Sequence, residues 1–251
     1  MSADRSQGPS GRPPIEAITF DFWNTIVRAN DDQARWRVAS WIEILDRAGH
    51  ATTPEQIGEV FRAEWLLHQE SWKRNEQYLG VHAARGAVER LELAVDVPTT
   101  EALVDAFVTE GEKAEFEPCP GVVDALRALH DAGVRIGIIC DVGFTPATGL
   151  RRLLQRFDAL DLFTGWSFSD EVGWYKPAPQ MFEHALGYLA TTAAETAHIG
   201  DIRRTDVAGA KAAGFLAIRY RGVSDDTDAE QPEGDIVIDH HDELLAALGL
   251  P

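Results

Sequence analysis

From Pro118 to Ile238, short apolar runs alternate with stretches of helical periodicity, and this alternation restricts the possible folds more than any other feature of the chain. Pro120-Gly121 opens an amphipathic stretch (Val122, Leu126, Leu129) that stops at Gly133 and leads into the apolar run Val134 to Cys140. A helix over 148–157, a strand around 162–168, a helix after Pro177 and a strand ending at Ile199 follow. A helix over 205–213 and strands at 215–220 and 236–238 complete the series. Strands separated by helices predict a parallel sheet with right-handed crossovers and helices on both faces. One more strand, ending at Phe20, opens the chain, but the pattern after it is helical throughout, over 31–48, 54–78, 81–93 and 100–114. The predicted fold class is therefore α/β, a doubly wound, Rossmann-like parallel sheet core with an inserted all-α cap domain. The core takes residues 15–29 and 117–251, the cap takes 30–116, and a Ser/Gly/Pro-rich disordered lead takes 1–14.

Composition narrows the partners. Lys and Arg number 23 against 41 Asp and Glu, a net charge of −18, which repels nucleic-acid phosphates and anionic membranes. No apolar run reaches the roughly 18 to 20 residues a transmembrane helix needs. Cys119 and Cys140 have neither metal nor redox spacing, so free thiols and a cytoplasmic location are expected. Oligomeric state is left open between monomer and homodimer.

Several stretches have simpler readings. Val97-Pro98-Thr99 reads as a turn, Leu79-Gly80-Val81 as a loop between helices, and Ser224 to Asp235 as an acidic, solvated loop. Arg203 and Arg204 read as exposed, with contact to substrate the alternative for one of them. Trp41, Trp65, Trp72, His68, Arg35 and Arg74 lie in the cap, the tryptophans mostly as packing between helices. His82, His130, His184, His240 and His241 show no ligand spacing.

The chemistry concentrates at strand ends. Asp21 follows the first strand at the carboxyl edge of the sheet, where open α/β sheets bind ligands. By itself it is a nucleophile, a metal ligand or a turn former. Gly200-Asp201 places a second carboxylate at another strand end, and Asp206 begins the next helix close by. Hard oxygen ligands of this kind suit Mg²⁺. Lys176 supplies positive charge to an acidic protein. Taken singly, Asp201 and Asp206 are ordinary turn and helix-cap residues and Lys176 an ordinary surface lysine.

In order along the chain, four segments resemble the haloacid dehalogenase (HAD) superfamily with a helical cap of the C1 type. They are Asp21-Phe22-Trp23-Asn24-Thr25, Ile136 to Asp141, Gly173 to Pro179 and His198 to Gly214. The resemblance implies that Asp21 attacks phosphorus, with Lys176 beside it, and that water cleaves the aspartyl-phosphate; Cys140 and Asp141, at the strand end of the second segment, complete the expected catalytic set. It also implies Mg²⁺ held by Asp21, Asp201, Asp206 and the backbone carbonyl of Trp23. Two positions depart from the family. Trp23 stands where phosphatases carry a second Asp, and general acid–base help is worth about 10²–10⁴-fold. Cys140 stands where a strand usually ends in Ser or Thr, and Asp141 beside it is either a substitute acid or a loop-bonding carboxylate. The expected function is a Mg²⁺-dependent phosphatase of a small phosphorylated metabolite, such as an acyl phosphate with a good leaving group. A metal-free 2-haloacid dehalogenase, which carries an aromatic residue at the Trp23 position, and a non-catalytic binding protein are the alternatives.

Overall fold

The computed structural model describes residues 13–30 and 32–250. The lead expected at 1–14 falls outside them except for residues 13 and 14.

Six strands form one sheet: β1 (Ala17–Phe20), β2 (Arg135–Cys140), β3 (Gly165–Phe168), β4 (Thr196–Gly200), β5 (Leu216–Tyr220) and β6 (Ile236–Ile238). The order is β3-β2-β1-β4-β5-β6 and every pairing is parallel. Ala17 lies opposite both Arg135 of β2 and Thr196 of β4. The sheet thus grows in one direction from β1 through β3 and in the other from β4 through β6. Its switch point, where strand order reverses, lies between β1 and β4, and ligands bind outside the carboxyl ends of the strands at such a point.

By its contacts the chain divides into two units, 1–29, 117–141 and 154–251 in one, 30–116 and 142–153 in the other. The second unit holds α1 (Asp32–Arg47), α2 (Pro54–Lys73), α3 (Gly80–Arg90) and α4 (Val97–Thr109). Its core is aromatic. Buried Trp41 donates its indole N–H to Leu103 O (2.8 Å) and meets Phe61 edge-on (4.8 Å), while Phe61 meets Phe107 the same way (4.8 Å). Such pairs add about 0.5–1.5 kcal/mol each beyond area burial. Residues 142–153 join this unit through side-chain chemistry. Buried Arg37 donates to Phe107 O (2.6 Å) and Thr145 Oγ1 (3.0 Å), and Arg152 makes a two-pronged ion pair with buried Glu112 (2.5 and 2.7 Å). Trp65 is exposed, unlike the packed Trp41.

Two readings of this unit are corrected. Val97-Pro98-Thr99 is the first turn of α4, because Asp96 precedes it in extended backbone and accepts the Thr99 N–H (2.9 Å), and a first turn tolerates Pro98. Leu79 is the cap residue of α3, so Gly80 and Val81 are already helical, and an added Cβ at Gly80 would lie 2.5 Å from Phe144 O.

The sheet unit adds α5 (Val122–Asp131), α6 (Ala147–Arg156, shared with the helical unit), α7 (Ser169–Val172), α8 (Pro179–Leu189), α9 (Ala208–Ala212) and α10 (Leu244–Ala247). Met181, Phe182 and Leu189 of α8 pack with Ala210 of α9 and with Phe215, Ala217, Ala17 and Ile139 at the sheet. The α5 helix packs on β2 and α10. No helix among the described residues is long and apolar enough to cross a membrane.

Candidate active site

The backbone after β1 turns back at once. Phe22 O accepts the N–H groups of both Ile26 (2.9 Å) and Val27 (3.0 Å), and Asn24 sits in the left-handed region (φ 57°), which Asn tolerates better than most residues. This tight loop holds Asp21 at the end of β1, buried, with its backbone N–H bonded to Ile199 O of β4 (2.8 Å). Trp23 is half-buried beyond it, its ring edge-on to Phe22 (5.0 Å).

Asp201 follows β4 and is buried. Asp206 lies within a single wide turn of π-helix, Arg203–Val207, a local form that often accompanies function. Gly200 permits this arrangement, since a Cβ there would lie 2.3 Å from Asp206 Cγ. Carboxylate oxygens of Asp21, Asp201 and Asp206 come within 4.8 Å of one another.

Lys176 completes the group. It is 2% exposed, and its Nζ donates to Asp21 Oδ1 (2.5 Å) and Asp206 Oδ1 (2.6 Å). Asp141, next after β2, accepts the Lys176 backbone N–H on Oδ1 (2.9 Å), fixing the loop that delivers the lysine. Cys140 is fully buried at the end of β2. All seven residues singled out in the sequence therefore sit at the carboxyl ends of β1, β2 and β4 or on the segments that approach them.

Burial raises the Asp21 carboxyl well above its usual range, and although Lys176 opposes this, Asp206 and Asp201 add to it. Burial and then Asp206 push Asp201 up to about 7. Asp206 goes the other way, because Lys176 and His198 outweigh the cost of its burial. Burial disfavours the Lys176 ammonium, but Asp206 and Asp21 together hold its pKa well above the ordinary value. Burial, reinforced by Asp21, pushes the Cys140 thiol far up, so it stays protonated.

Two contributors escaped the sequence reading. His198 of β4 bridges Asp206 Oδ1 (Nε2, 3.2 Å) and Thr19 Oγ1 of β1 (Nδ1, 2.8 Å), both sites buried. Ser224 donates its hydroxyl to Asp201 Oδ2 (2.9 Å). The apolar pattern around His198 marked only a strand, and Ser224 lay in a stretch read as solvated. That stretch is pinned: Arg219 of β5, its side chain 2% exposed, pairs with Asp225 (2.7 Å) and doubly with Glu233 (2.6 and 2.9 Å). Arg203, read as exposed, is folded onto Glu233 (2.6 Å) with its side chain 16% exposed, and its backbone N–H bonds Asp226 (2.7 Å). Arg204 is half-buried, with Asp141 and Asp206 as its charged neighbours. Local charge density cannot show that acidic residues are matched by arginines distant in sequence.

A parallel sheet with three buried carboxylates and one ammonium at its switch point is the frame of an enzyme acting on a small ligand. A family model described as haloacid dehalogenase-like hydrolase matches residues 15–214, and the chain belongs to that family of hydrolases. The chain is 31% identical to phosphoglycolate phosphatase of Salmonella paratyphi A over 246 residues, 94% of each chain. It is 30% identical to glyceraldehyde 3-phosphate phosphatase of Pyrococcus abyssi over 130 residues, 51% of this chain and 53% of that one. The fold matches that of 2-haloacid dehalogenase from Pseudomonas syringae pv. Tomato DC3000 with a TM-score of 0.69, at 21% identity over 93% of this chain and 97% of the other.

Proposed function

We propose that this hydrolase is a phosphatase of a small phosphorylated metabolite, with Asp21 as nucleophile and Mg²⁺ held by Asp21, Asp201 and the Trp23 carbonyl. The observation that carries the reading is the charge balance of the site. Three buried carboxylates face the Lys176 ammonium, and burial, reinforced by repulsion among the carboxylates, drives the carboxyls of Asp21 and Asp201 upward. A divalent cation relieves that repulsion, and hard carboxylate oxygens are the donors Mg²⁺ prefers. When bound, the ion supplies charge neutralisation and a fixed point for a phosphoryl oxygen.

The remaining steps belong to the chain. Lys176 engages Oδ1 of Asp21, which leaves Oδ2 to attack phosphorus as the bond to the leaving oxygen breaks. Water then attacks the aspartyl-phosphate and returns Asp21 as a carboxylate. Asp206, saturated by Lys176, His198, the Ile202 N–H (3.0 Å) and Thr205 (3.3 Å), anchors the lysine. Asp141 acts as an acceptor that holds the Lys176 loop. Cys140 presents a neutral thiol, which does not repel a phosphate dianion. Because Trp23 cannot transfer a proton, substrates with good leaving groups turn over fastest. The helical unit corresponds to the cap domain of the family.

Phosphate release across a panel of phosphorylated metabolites tests the reading. Activity that requires Mg²⁺, is lost with chelator and is abolished in Asp21→Asn is expected. Halide release from a 2-haloacid that persists in chelator, or no phosphate release from any substrate, overturns it.

A further inference from the structure

We infer that Ser224 is a positioning residue for Asp201, and that the acidic loop between β5 and β6 is clamped by two arginines in order to hold this serine in place. The inference rests on the metal-dependent reading above and concerns a segment outside the matched stretch of the family, which ends at residue 214.

A ligand carboxylate is useful only if its rotation about the last side-chain bond is fixed, because that rotation decides where the second oxygen points. In Asp201 the rotation is set by the Ser224 hydroxyl on Oδ2, at 2.9 Å. Ser224 itself is exposed, and an exposed loop serine has rotamer freedom to lose. The neighbouring residues remove that freedom. Asp225, the next residue, pairs with the guanidinium of Arg219, which is buried in β5, while Asp226 bonds the backbone N–H of Arg203, two residues after Asp201. Glu233, at the far end of the loop, takes both Arg219 and Arg203, and its carboxyl is held down at about 2, chiefly by Arg219. Asp235 closes the loop by accepting Lys211 (2.6 Å) and the Ala217 N–H (3.0 Å). The loop is therefore anchored immediately after Ser224, at Asp225 and Asp226, and again at its far end, at Glu233 and Asp235, on residues of β5, α9 and the turn after Asp201. Hydrogen-bond partners of metal ligands typically change metal affinity by about 10–100-fold when removed.

Binding of Mn²⁺, without substrate, to the full-length protein and to Ser224→Ala, Ser224→Thr and Asp225→Ala separates the possibilities. Affinity is read by calorimetry and by the electron paramagnetic resonance of free Mn²⁺. Ser224→Ala should bind Mn²⁺ about tenfold more weakly at unchanged secondary structure, Ser224→Thr should return to within about twofold, and Asp225→Ala should weaken binding in the same direction as the alanine variant. Wild-type affinity in Ser224→Ala, or loss in Ser224→Thr equal to that in Ser224→Ala, overturns the role of the hydroxyl while leaving the metal reading intact. Absence of Mn²⁺ binding by the wild type, together with phosphate release in chelator, overturns the metal reading itself.

Discussion

The Lys176 ammonium contacts both Asp21 and Asp206, and replacing it with methionine removes the charge while keeping most of the side-chain volume. At N–O distances of 2.5 and 2.6 Å, each contact is worth a gross attraction of about 6 kcal/mol at an effective dielectric constant of about 20. Most of that offsets the desolvation of the ammonium and two carboxylates, and the loss of one partner from such a group costs about 3–5 kcal/mol, because the others are left buried and uncompensated. With the lysine 2% exposed, solvent screening offers little relief. The pH dependence follows from the carboxylates left behind. Burial holds the folded Asp21 pKa above the ordinary 3.8 and Lys176 opposes that rise, so without the lysine the folded state takes up a proton at Asp21 more readily than the unfolded state, and the deficit of Lys176→Met shrinks as pH falls toward that value. Urea unfolding followed by tryptophan fluorescence, at about pH 8 and about pH 5.5 in chelator, measures both effects. Saturating Mg²⁺ should narrow the deficit by about 1–3 kcal/mol, since a ligand that binds only the folded state stabilises it by mass action. A deficit under about 1 kcal/mol at the higher pH, or one that grows on acidification, would refute the charge-balance argument.

Gly200→Ala introduces a Cβ 2.3 Å from Asp206 Cγ, a contact with a buried, fully bonded side chain that cannot swing aside. Displacement of Asp206 and with it Lys176 should lower kcat by about 10²-fold and stability by about 1–3 kcal/mol, and wild-type kcat in this variant would show that the close approach is irrelevant. His241 is fully buried, stacked on Tyr220 (4.2 Å between ring centres) and bonded to Thr25 O (2.8 Å), and burial lowers its pKa to about 4 from the usual 6.5. A depressed folded pKa means that stability is lost as pH falls from about 6.5 through about 4, to a limit of about 3 kcal/mol. Asp201, with its raised value, contributes in the opposite direction over part of that window, so the difference between wild type and His241→Gln isolates the histidine. Parallel pH profiles for the two proteins would refute it.

The strands were legible because buried parallel strands are nearly continuous apolar runs, and Ile136 to Cys140 or Ile236 to Ile238 admit little else. Asp21, Asp201 and Lys176 were legible because strand ends and the order of short motifs are properties of the chain itself. What was lost depends on contacts between distant residues. His198 reads as one more strand residue until Thr19 and Asp206 flank it, and Ser224 reads as loop until Arg219 captures its neighbour. The start of α4 was lost for a local reason. Val97-Pro98 resembles a turn unless Asp96 is recognised as the residue that satisfies the free N–H of the first turn.

The placement of β1 also has a consequence for biosynthesis. The strand that leads to Asp21 is made well before its two pairing partners, Arg135–Cys140 and Thr196–Gly200. The four helices in between can find partners among their sequence neighbours, whereas β1 stays unpaired on one side until β2 is made and on the other until β4 is made. Nascent chains that have made β2 but not β4 therefore leave one edge of β1 open beside Asp21.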